Sequence, residues 1–172
     1  MKEYFFKTIS SPLGELKLVA SNEALVAILW QHESIARITA EAMYEDRKHP
    51  VLITAEKQLG EYFLGKRQSF DVKIHFNGTD FQKNVWKALL IIPFGNTVSY
   101  ADIAKKIGRP KAVRAVGSAN RKNPVPIIVA CHRVISSSGA LAGYSGGVEN
   151  KAVLLEAEGV FGHKVNKKPH VL

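Results

Sequence analysis

Cysteine is almost absent from this sequence. The 172 residues include a single one, Cys131, so the chain can form no internal disulfide and can build neither a cysteine-rich zinc site nor a CxxC redox pair. This scarcity fits a reducing compartment, and a cytoplasmic location is expected. Because the first ten residues mix Lys2, Glu3 and Lys7 with aromatics, we expect no signal peptide there.

Long apolar runs and an excess of acidic residues are also missing. The longest apolar runs, such as Ala24 to Trp30, are too short to cross a bilayer, so no membrane partner is expected. Lys and Arg number 24 against 15 Asp and Glu, and a compact body with a net charge of +9 attracts polyanions, nucleic acid first among them. A solvated basic surface is the alternative, since part of the excess lies in a C-terminal stretch that a frayed tail would also explain: His163, Lys164, Lys167 and Lys168.

The N-terminal part alternates between apolar and polar residues as strands do. Its pattern predicts a small antiparallel meander, then a helix, then a further strand. The expected elements are strands at Tyr4 to Ile9, Glu15 to Ala20 and Leu25 to Trp30, a helix from about Pro50 to Leu64, and a strand at Phe70 to Phe76. Asn77-Gly78 marks a break, so we expect two domains, residues 1–77 and residues 78–172.

Three helices are expected after the break. Thr79 or Asp80 can cap the first, whose apolar stripe is Phe81, Val85, Leu89 and Ile92. A short helix from Tyr100 to Ile107 is closed by Gly108, and Pro110 is expected to open another that reaches Ala119. Two short helices joined by a tight turn are typical of a helix-turn-helix, in which the second helix is presented to DNA.

The second helix of this pair carries cationic side chains among very small ones. Close approach to a nucleic-acid groove would need such residues, although tight packing against a neighbouring helix would explain them equally well. The residues are Lys111 and Arg114 together with Ala112, Ala115, Gly117, Ser118 and Ala119.

The lone cysteine follows an apolar run. Ile127 to Ala130 is expected to form a buried strand that delivers Cys131 to a loop, with His132 and Arg133 next in sequence. Cationic groups beside a thiol lower its pKa, and the thiolate is the reactive species. A small buried hydrophobe beside a satisfied core histidine is the alternative.

Three segments make the sequence resemble the O6-alkylguanine-DNA alkyltransferase family: Asn123 to Val134, Gly143 to Gly147, and Leu154 to Gly159. The resemblance extends over the C-terminal half, whereas the N-terminal half matches only in length and strand pattern. It implies an α/β protein with a small N-terminal antiparallel sheet plus helix, RNase H-like, followed by a mainly helical winged helix-turn-helix domain. The implied activity is DNA repair by irreversible, single-turnover transfer of an alkyl group from the O6 oxygen of a flipped-out guanine to Cys131.

The resemblance also implies residue roles. Cys131 would be the acceptor, His132 its base through a bridging water, and Glu158 the group that orients His132. A water relay is expected because neighbours on a strand point to opposite faces. Asn123 would brace the active-site turn, a role that capping of the Pro124 turn would also describe. Tyr100 would donate a hydrogen bond or proton to O6 as guanine leaves.

The remaining implied contacts concern the substrate. Tyr144 and Ser145 would close over the base, and backbone carbonyls near Cys131 and Val134 would read the guanine amino group. Arg114 would fill the gap left by the flipped nucleotide, with the second helix in the minor groove. The expected partner is double-stranded DNA containing O6-alkylguanine, bound by a monomer; no cofactor and no metal, zinc included, are expected.

Two positions depart from the family pattern. Ala130 stands where proline usually precedes the cysteine, which adds an N–H donor and frees a backbone angle beside the nucleophile. Val153 stands where a bulky aromatic is usual, so we expect either repacking by a neighbour such as Phe161 or a small cavity. A slower reaction and a lower stability, respectively, would follow.

Other functions remain open at this level. An alkyltransferase-like protein could bind lesions without repairing them, although such relatives replace the acceptor cysteine and this chain retains Cys131. A helix-turn-helix regulator would be expected to dimerise on paired half-sites, and the sequence has no evident dimerisation helix. A Cys-His hydrolase usually draws its nucleophile and base from separate segments.

Overall fold

The structure is a computed structural model that describes residues 3–34, 42–141 and 143–160. It divides into two compact units, Met1–Asn77 and Gly78–Leu172. The tail cations and Phe161 lie outside the described residues.

The first unit is a mixed sheet with one helix. Its elements are β1 (Tyr4–Ile9), β2 (Leu16–Ala20), β3 (Leu25–Trp30), β4 (Met43–Glu45) and α1 (Pro50–Phe63). The strand order is β3-β2-β1-β4, with β1, β2 and β3 antiparallel and β4 parallel to β1. The predicted meander and helix are therefore confirmed. The short β4 was not anticipated, because three residues carry too little alternation to indicate a strand.

Apolar residues dominate the interior of this unit. All six residues of β3 are buried, and α1 packs against β1, β2 and β3. The helix buries one stripe at helical spacing, made of Leu52, Ala55, Leu59 and Tyr62. His49 begins the helix by accepting a hydrogen bond from the backbone N–H of Val51.

The strand predicted from Phe70 to Phe76 is wrong. The segment alternates in burial, but it makes a single isolated bridge, between Ile74 and Leu25, in place of a ladder. Its backbone bonds are from Leu25 N to Lys73 O (2.9 Å) and from His75 N to Leu25 O (3.0 Å). Alternation reports which side chains face the protein, and it does not require continuous pairing.

The second unit is mainly helical. Its elements are α2 (Asp80–Leu90), β5 (Val98–Ser99), α3 (Tyr100–Lys106), α4 (Val113–Arg121), β6 (Val134–Ile135) and α5 (Val148–Ala157), with a 3₁₀ helix at Cys131–Arg133. Thr79 and Ser99 begin α2 and α3 with capping boxes. Helices α2, α3 and α4 contact one another, and β5 pairs parallel with β6. The predicted fold class, a sheet unit followed by a helical unit, is confirmed.

Helix α4 begins later than predicted. Pro110 and Lys111 lie in the turn, where the Ala112 N–H donates to Arg109 O (2.9 Å), and the first helical residue is Val113. Of the two explanations for the small residues, packing applies to Ala119: it is buried, and its carbonyl accepts from Nε1 of Trp86 (2.9 Å). The small side chain at that position serves helix packing.

Among the helices in the described part of the chain, none is long and apolar enough to span a membrane.

Candidate active site

The segment before the cysteine is a braced turn, so the strand predicted at Ile127 to Ala130 is wrong. Asn123 spans the turn: its Nδ2 donates to Val129 O (2.8 Å), and its Oδ1 accepts from Val125 N (3.0 Å). Ile127 is fully buried with φ of 75°, a left-handed conformation that is costly for a β-branched residue. The apolar run indicated burial correctly, but the preceding Asn123 closes it into a turn that begins with Pro124 and Pro126.

Cys131 is the first residue of the 3₁₀ helix and is 1% exposed. The expectation that Cys131 and His132 point to opposite faces of a strand is therefore wrong, because neither residue lies on a strand. Successive side chains of a 3₁₀ helix project about a third of a turn apart.

Glu158, at the end of α5, is the centre of a buried ionic network. Its Oε2 lies 2.7 Å from Nε2 of His132 and 3.0 Å from a terminal guanidinium nitrogen of Arg133, and its Oε1 accepts from Nε of Arg133 (2.8 Å). The Gly95 N–H also donates to Oε1 (3.2 Å), and Arg133 donates to Ile92 O (2.6 Å). The carboxylate thus has the charged partner that burial demands.

This network sets the state of His132. A carboxylate only accepts, so Nε2 of His132 carries the proton and Nδ1 holds the lone pair. Nδ1 is buried and has no hydrogen-bond partner within the described residues. Burial lowers the pKa of His132, against the opposing effect of Glu158, so the ring is neutral at pH 7. A neutral imidazole with an available lone pair can accept a proton.

The thiol is less acidic than its sequence neighbours suggested. Burial raises the pKa of Cys131 to about 11, although the Asn123 side chain, the Lys151 ammonium and the Tyr144 hydroxyl each favour the thiolate. The expectation that neighbouring cations lower this pKa is therefore wrong, because desolvation exceeds their effect. Cys131 is a protonated thiol that needs a base.

Lys151 is a fully buried cation that no sequence motif singled out. Its Nζ donates to Val134 O (2.7 Å), and burial lowers its pKa to about 8, with Cys131 acting in the opposite direction. A lysine in a helical sequence normally predicts a solvent-exposed side chain, so only the tertiary structure shows that Lys151 is buried.

The two carbonyls assigned to the guanine amino group already have protein donors. Val134 O accepts from Lys151, and Cys131 O accepts from Nδ2 of Asn120 (3.4 Å) and from the backbone N–H of Val134. A carbonyl oxygen has two lone pairs, so Val134 O retains one for a further donor.

Tyr100 and the loop at Tyr144 and Ser145 lie in the same unit. Tyr144 is buried and Ser145 half-buried. Tyr100, half-buried, is the first residue of α3, and its ring lies over Gly117: an added Cβ there would be 3.8 Å from Cδ1 and 3.9 Å from Cε1. Burial raises the pKa of Tyr100, an effect that Arg121 opposes and Cys131 reinforces. The phenol is therefore protonated at pH 7 and can donate.

The residues predicted to contact DNA divide by exposure. Lys111, Arg114 and Ala115 are exposed, whereas Ala112, Gly117 and Ser118 are half-buried. Helix α4 therefore presents a basic, small-residue surface while its inner side packs through Val116.

The two departures have different environments. Ala130 is buried with φ of −81° and ψ of 60°, and its N–H donates no hydrogen bond within the described part of the chain. Val153 is 45% exposed, so the expectation of a repacked core or cavity there is wrong, because this position of α5 faces solvent. Within residues 3–34, 42–141 and 143–160, no group of three or more His, Cys, Asp or Glu side chains could hold a metal.

Fold and site together define a class: an α/β protein whose helical unit combines an exposed basic helix with a buried cysteine, histidine and glutamate. Comparison with known proteins agrees. Residues 4–76 match the family profile "6-O-methylguanine DNA methyltransferase, ribonuclease-like domain", and residues 80–160 match "6-O-methylguanine DNA methyltransferase, DNA binding domain".

Individual relatives match over most of their length. The chain is 45% identical over 158 residues to a methylated-DNA--protein-cysteine methyltransferase of Mycobacterium tuberculosis, covering 89% of this chain and 91% of the relative. It is 44% identical over 156 residues to the constitutive enzyme of Bacillus subtilis, covering 90% and 94%. The crystal structure of Mycobacterium tuberculosis OGT in complex with DNA matches with a TM-score of 0.82 and 42% identity, covering 95% and 97%.

The chain belongs to the 6-O-methylguanine DNA methyltransferase family. The resemblance predicted from its sequence is thereby confirmed, and with it the assignment to DNA repair by alkyl transfer to a cysteine.

Proposed function

We propose that this chain binds double-stranded DNA and transfers the alkyl group of O6-alkylguanine irreversibly to Sγ of Cys131, once per molecule. The observation that carries the proposal is the buried arrangement of a protonated thiol, a neutral His132 and an ionised Glu158, in the unit that also presents α4. Two similar proteins support the substrate class: the methylated-DNA--protein-cysteine methyltransferase of Mycobacterium tuberculosis and the structure of Mycobacterium tuberculosis OGT in complex with DNA.

The first step is activation of the thiol. A water between Cys131 and Nδ1 of His132 would pass the thiol proton to the ring, and Glu158 would stabilise the imidazolium that forms. Arg133 holds Glu158 by two hydrogen bonds and so keeps the base oriented. Asn123 keeps the turn before Cys131 closed and also favours the thiolate.

Alkyl transfer follows once the alkylated guanine has been flipped out of the DNA duplex. The thiolate attacks the alkyl carbon, the S–C bond forms, and the C–O bond breaks with its electron pair on guanine O6. Tyr100 donates its phenolic proton to O6, which makes guanine a better leaving group. Tyr144 and Ser145 cover the base, and the free lone pair of Val134 O accepts from the guanine amino group.

DNA recognition is assigned to α4 and the turn before it. Arg114 replaces the flipped nucleotide in the stack, and Lys111 contacts the backbone. The small side chains at Ala112, Ala115, Gly117 and Ser118 let the helix approach the minor groove. Because backbone contacts dominate, binding is expected to be weakly sequence-specific and strongly dependent on salt.

The two units divide these tasks. Residues 78–172 carry the transfer site and the DNA-binding surface, and residues 1–77 form a separate domain. The protein acts as a monomer in the cytoplasm. The reaction uses neither a cofactor nor a metal. Light scattering of the protein alone and with one duplex checks the monomer, since a dimeric regulator would bind two copies on paired half-sites.

The decisive test is the intact mass of the protein after incubation with duplex DNA containing one O6-methylguanine, with Cys131→Ser as the control. A gain of one methyl group on the wild type alone is expected. Selective lesion binding without any gain in mass would instead identify a lesion-binding protein.

A further inference from the structure

One face of helix α4 carries Arg114 and also contacts Tyr100 and the loop that holds Tyr144. Arg114, Gly117 and Arg121 follow one another at spacings of three and four residues, so these three positions share that face. The ring of Tyr100 lies over Gly117. Arg121, one turn further on, reaches the loop that holds Tyr144.

The contact between Arg121 and this loop is close. Nη1, Cδ and Cγ of Arg121 lie 3.3, 3.5 and 3.8 Å from the position that a Cβ would take on Gly143, whose φ is +65°. Both the stem and the guanidinium therefore lie against the backbone just before Tyr144. The absence of a side chain at Gly143 makes that approach possible.

Arg121 also acts on Tyr100. Burial is the main effect on the Tyr100 phenol and raises its pKa, Arg121 opposes this, and Cys131 adds to it. Arg121 and Cys131 are therefore two titratable groups whose charges act on the phenol. Arg121 is itself exposed, and Tyr100 is half-buried. A cation beside a half-buried phenol favours its ionised form.

We propose that Arg121 is a positioning residue of the transfer reaction: it lies against the base-covering loop at Gly143 and stabilises the negative charge that Tyr100 acquires when it gives its proton to the leaving guanine. This inference rests on the proposed function, in which Tyr100 is the proton donor.

The chemistry balances without a further reactant. The phenolic proton moves to guanine O6 as the C–O bond breaks, and the O–H electron pair stays on the Tyr100 oxygen. Arg121 keeps its protons throughout, and solvent reprotonates the phenolate after guanine has left. Because a general acid works best when its conjugate base is stabilised, loss of the cation slows departure of guanine.

The variants separate charge from packing. Arg121→Met keeps an unbranched stem against Gly143 but removes the cation, and Arg121→Lys restores a cation. Lys122→Met, at an exposed position beside Arg121, is the control with the same change in net charge. Each is combined with Tyr100→Phe, which removes the acid through which Arg121 is proposed to act.

The rate constant of methyl transfer is measured by intact mass at saturating duplex containing O6-methylguanine, and DNA affinity is measured separately. Arg121→Met is expected to lower the saturating rate about tenfold. Arg121→Lys should recover most of it, and Lys122→Met should leave it unchanged. In the Tyr100→Phe background, Arg121→Met should cause no further loss.

Three results would overturn the inference, and a fourth would remove the proposed function on which it rests. If Arg121→Met slows transfer equally with and without Tyr100, Arg121 does not act through the phenol. If it weakens DNA binding while the saturating rate is unchanged, Arg121 is a phosphate contact only. A normal rate for Tyr100→Phe alone would remove the proposed role of Tyr100, and a wild type that gains no methyl group would remove the proposed function itself, so these failures are distinguishable.

Discussion

The two units bury different kinds of side chain. In the described residues of the first unit the buried polar side chains are His49, which caps a helix, and Gln58, which bonds with Asp71. Within residues 78–141 and 143–160 the second unit buries six polar side chains, four of them ionisable: Asn120, Asn123, His132, Arg133, Lys151 and Glu158. Buried ion pairs are weak contributors to stability compared with apolar packing, so the polar interior of the second unit is better explained by its chemistry.

One tryptophan lies in each unit, and this allows the comparison to be tested. Trp30 is 3% exposed in β3, and Trp86 is 2% exposed in α2. Denaturation followed by fluorescence in Trp30→Phe or Trp86→Phe backgrounds therefore reports on each unit separately.

The largest effect is expected from removing the central carboxylate. Glu158→Ala leaves Arg133 buried without its partner and should lower the free energy of unfolding of the second unit by about 3–5 kcal/mol, read from Trp86. Methyl transfer should also be lost, because His132 is no longer oriented. Glu158→Gln, which removes the charge but retains hydrogen bonding, should cost less; an equal cost would show that loss of the charge alone accounts for the effect.

Truncation of a core side chain in the first unit should lower the free energy of unfolding slightly less than Glu158→Ala does, and it should leave methyl transfer intact. Leu18 is fully buried in β2, so Leu18→Ala should lower the free energy of unfolding of that unit by about 2–5 kcal/mol, read from Trp30. The transfer rate per folded molecule should stay near that of the wild type. Loss of transfer in fully folded Leu18→Ala protein would contradict the proposed division of tasks.

Acid should weaken the second unit through His132. Its pKa in the folded state lies below the ordinary 6.5, so between these two values the unfolded chain binds more protons. Stability is therefore fully present above pH 6.5 and falls as the pH is lowered, by up to about 1.4 kcal/mol per pH unit from this group. The pH dependence of Trp86 unfolding should be shallower in His132→Gln, and identical slopes would exclude His132 as its source.

Restoring the family's usual proline should stabilise the second unit slightly. The φ of −81° at Ala130 is near that of proline, and no hydrogen bond from its N–H would be lost within the described structure. Ala130→Pro should raise the free energy of unfolding by about 0.4–1 kcal/mol and leave methyl transfer at least as fast. A destabilised variant would mean that the turn needs a freer backbone at this position.

The smallest effect is expected at Val153. Because this side chain is 45% exposed, Val153→Ala should change the free energy of unfolding by no more than about 0.5 kcal/mol. A loss comparable with that of Leu18→Ala would show that Val153 is packed.

Much of the fold was predictable from local patterns, whereas the roles of the site residues came from the family resemblance. Strands β1 and β3 have their predicted bounds, and α2 begins at the predicted cap, Thr79. The predicted strand at Phe70 to Phe76 and the later start of α4 were wrong, because pairing and helix starts depend on partners and turn geometry that local alternation does not encode.

The sequence alone determined the class of the protein, the lone nucleophile Cys131, and the residues that accompany it in the family motif. Tertiary structure alone decided that the thiol is protonated, that Arg133 joins His132 on Glu158, and that Lys151 is buried beside Val134. The reason is physical: residue type and spacing set what a side chain can do, whereas burial and neighbours distant in sequence set its protonation state and partners.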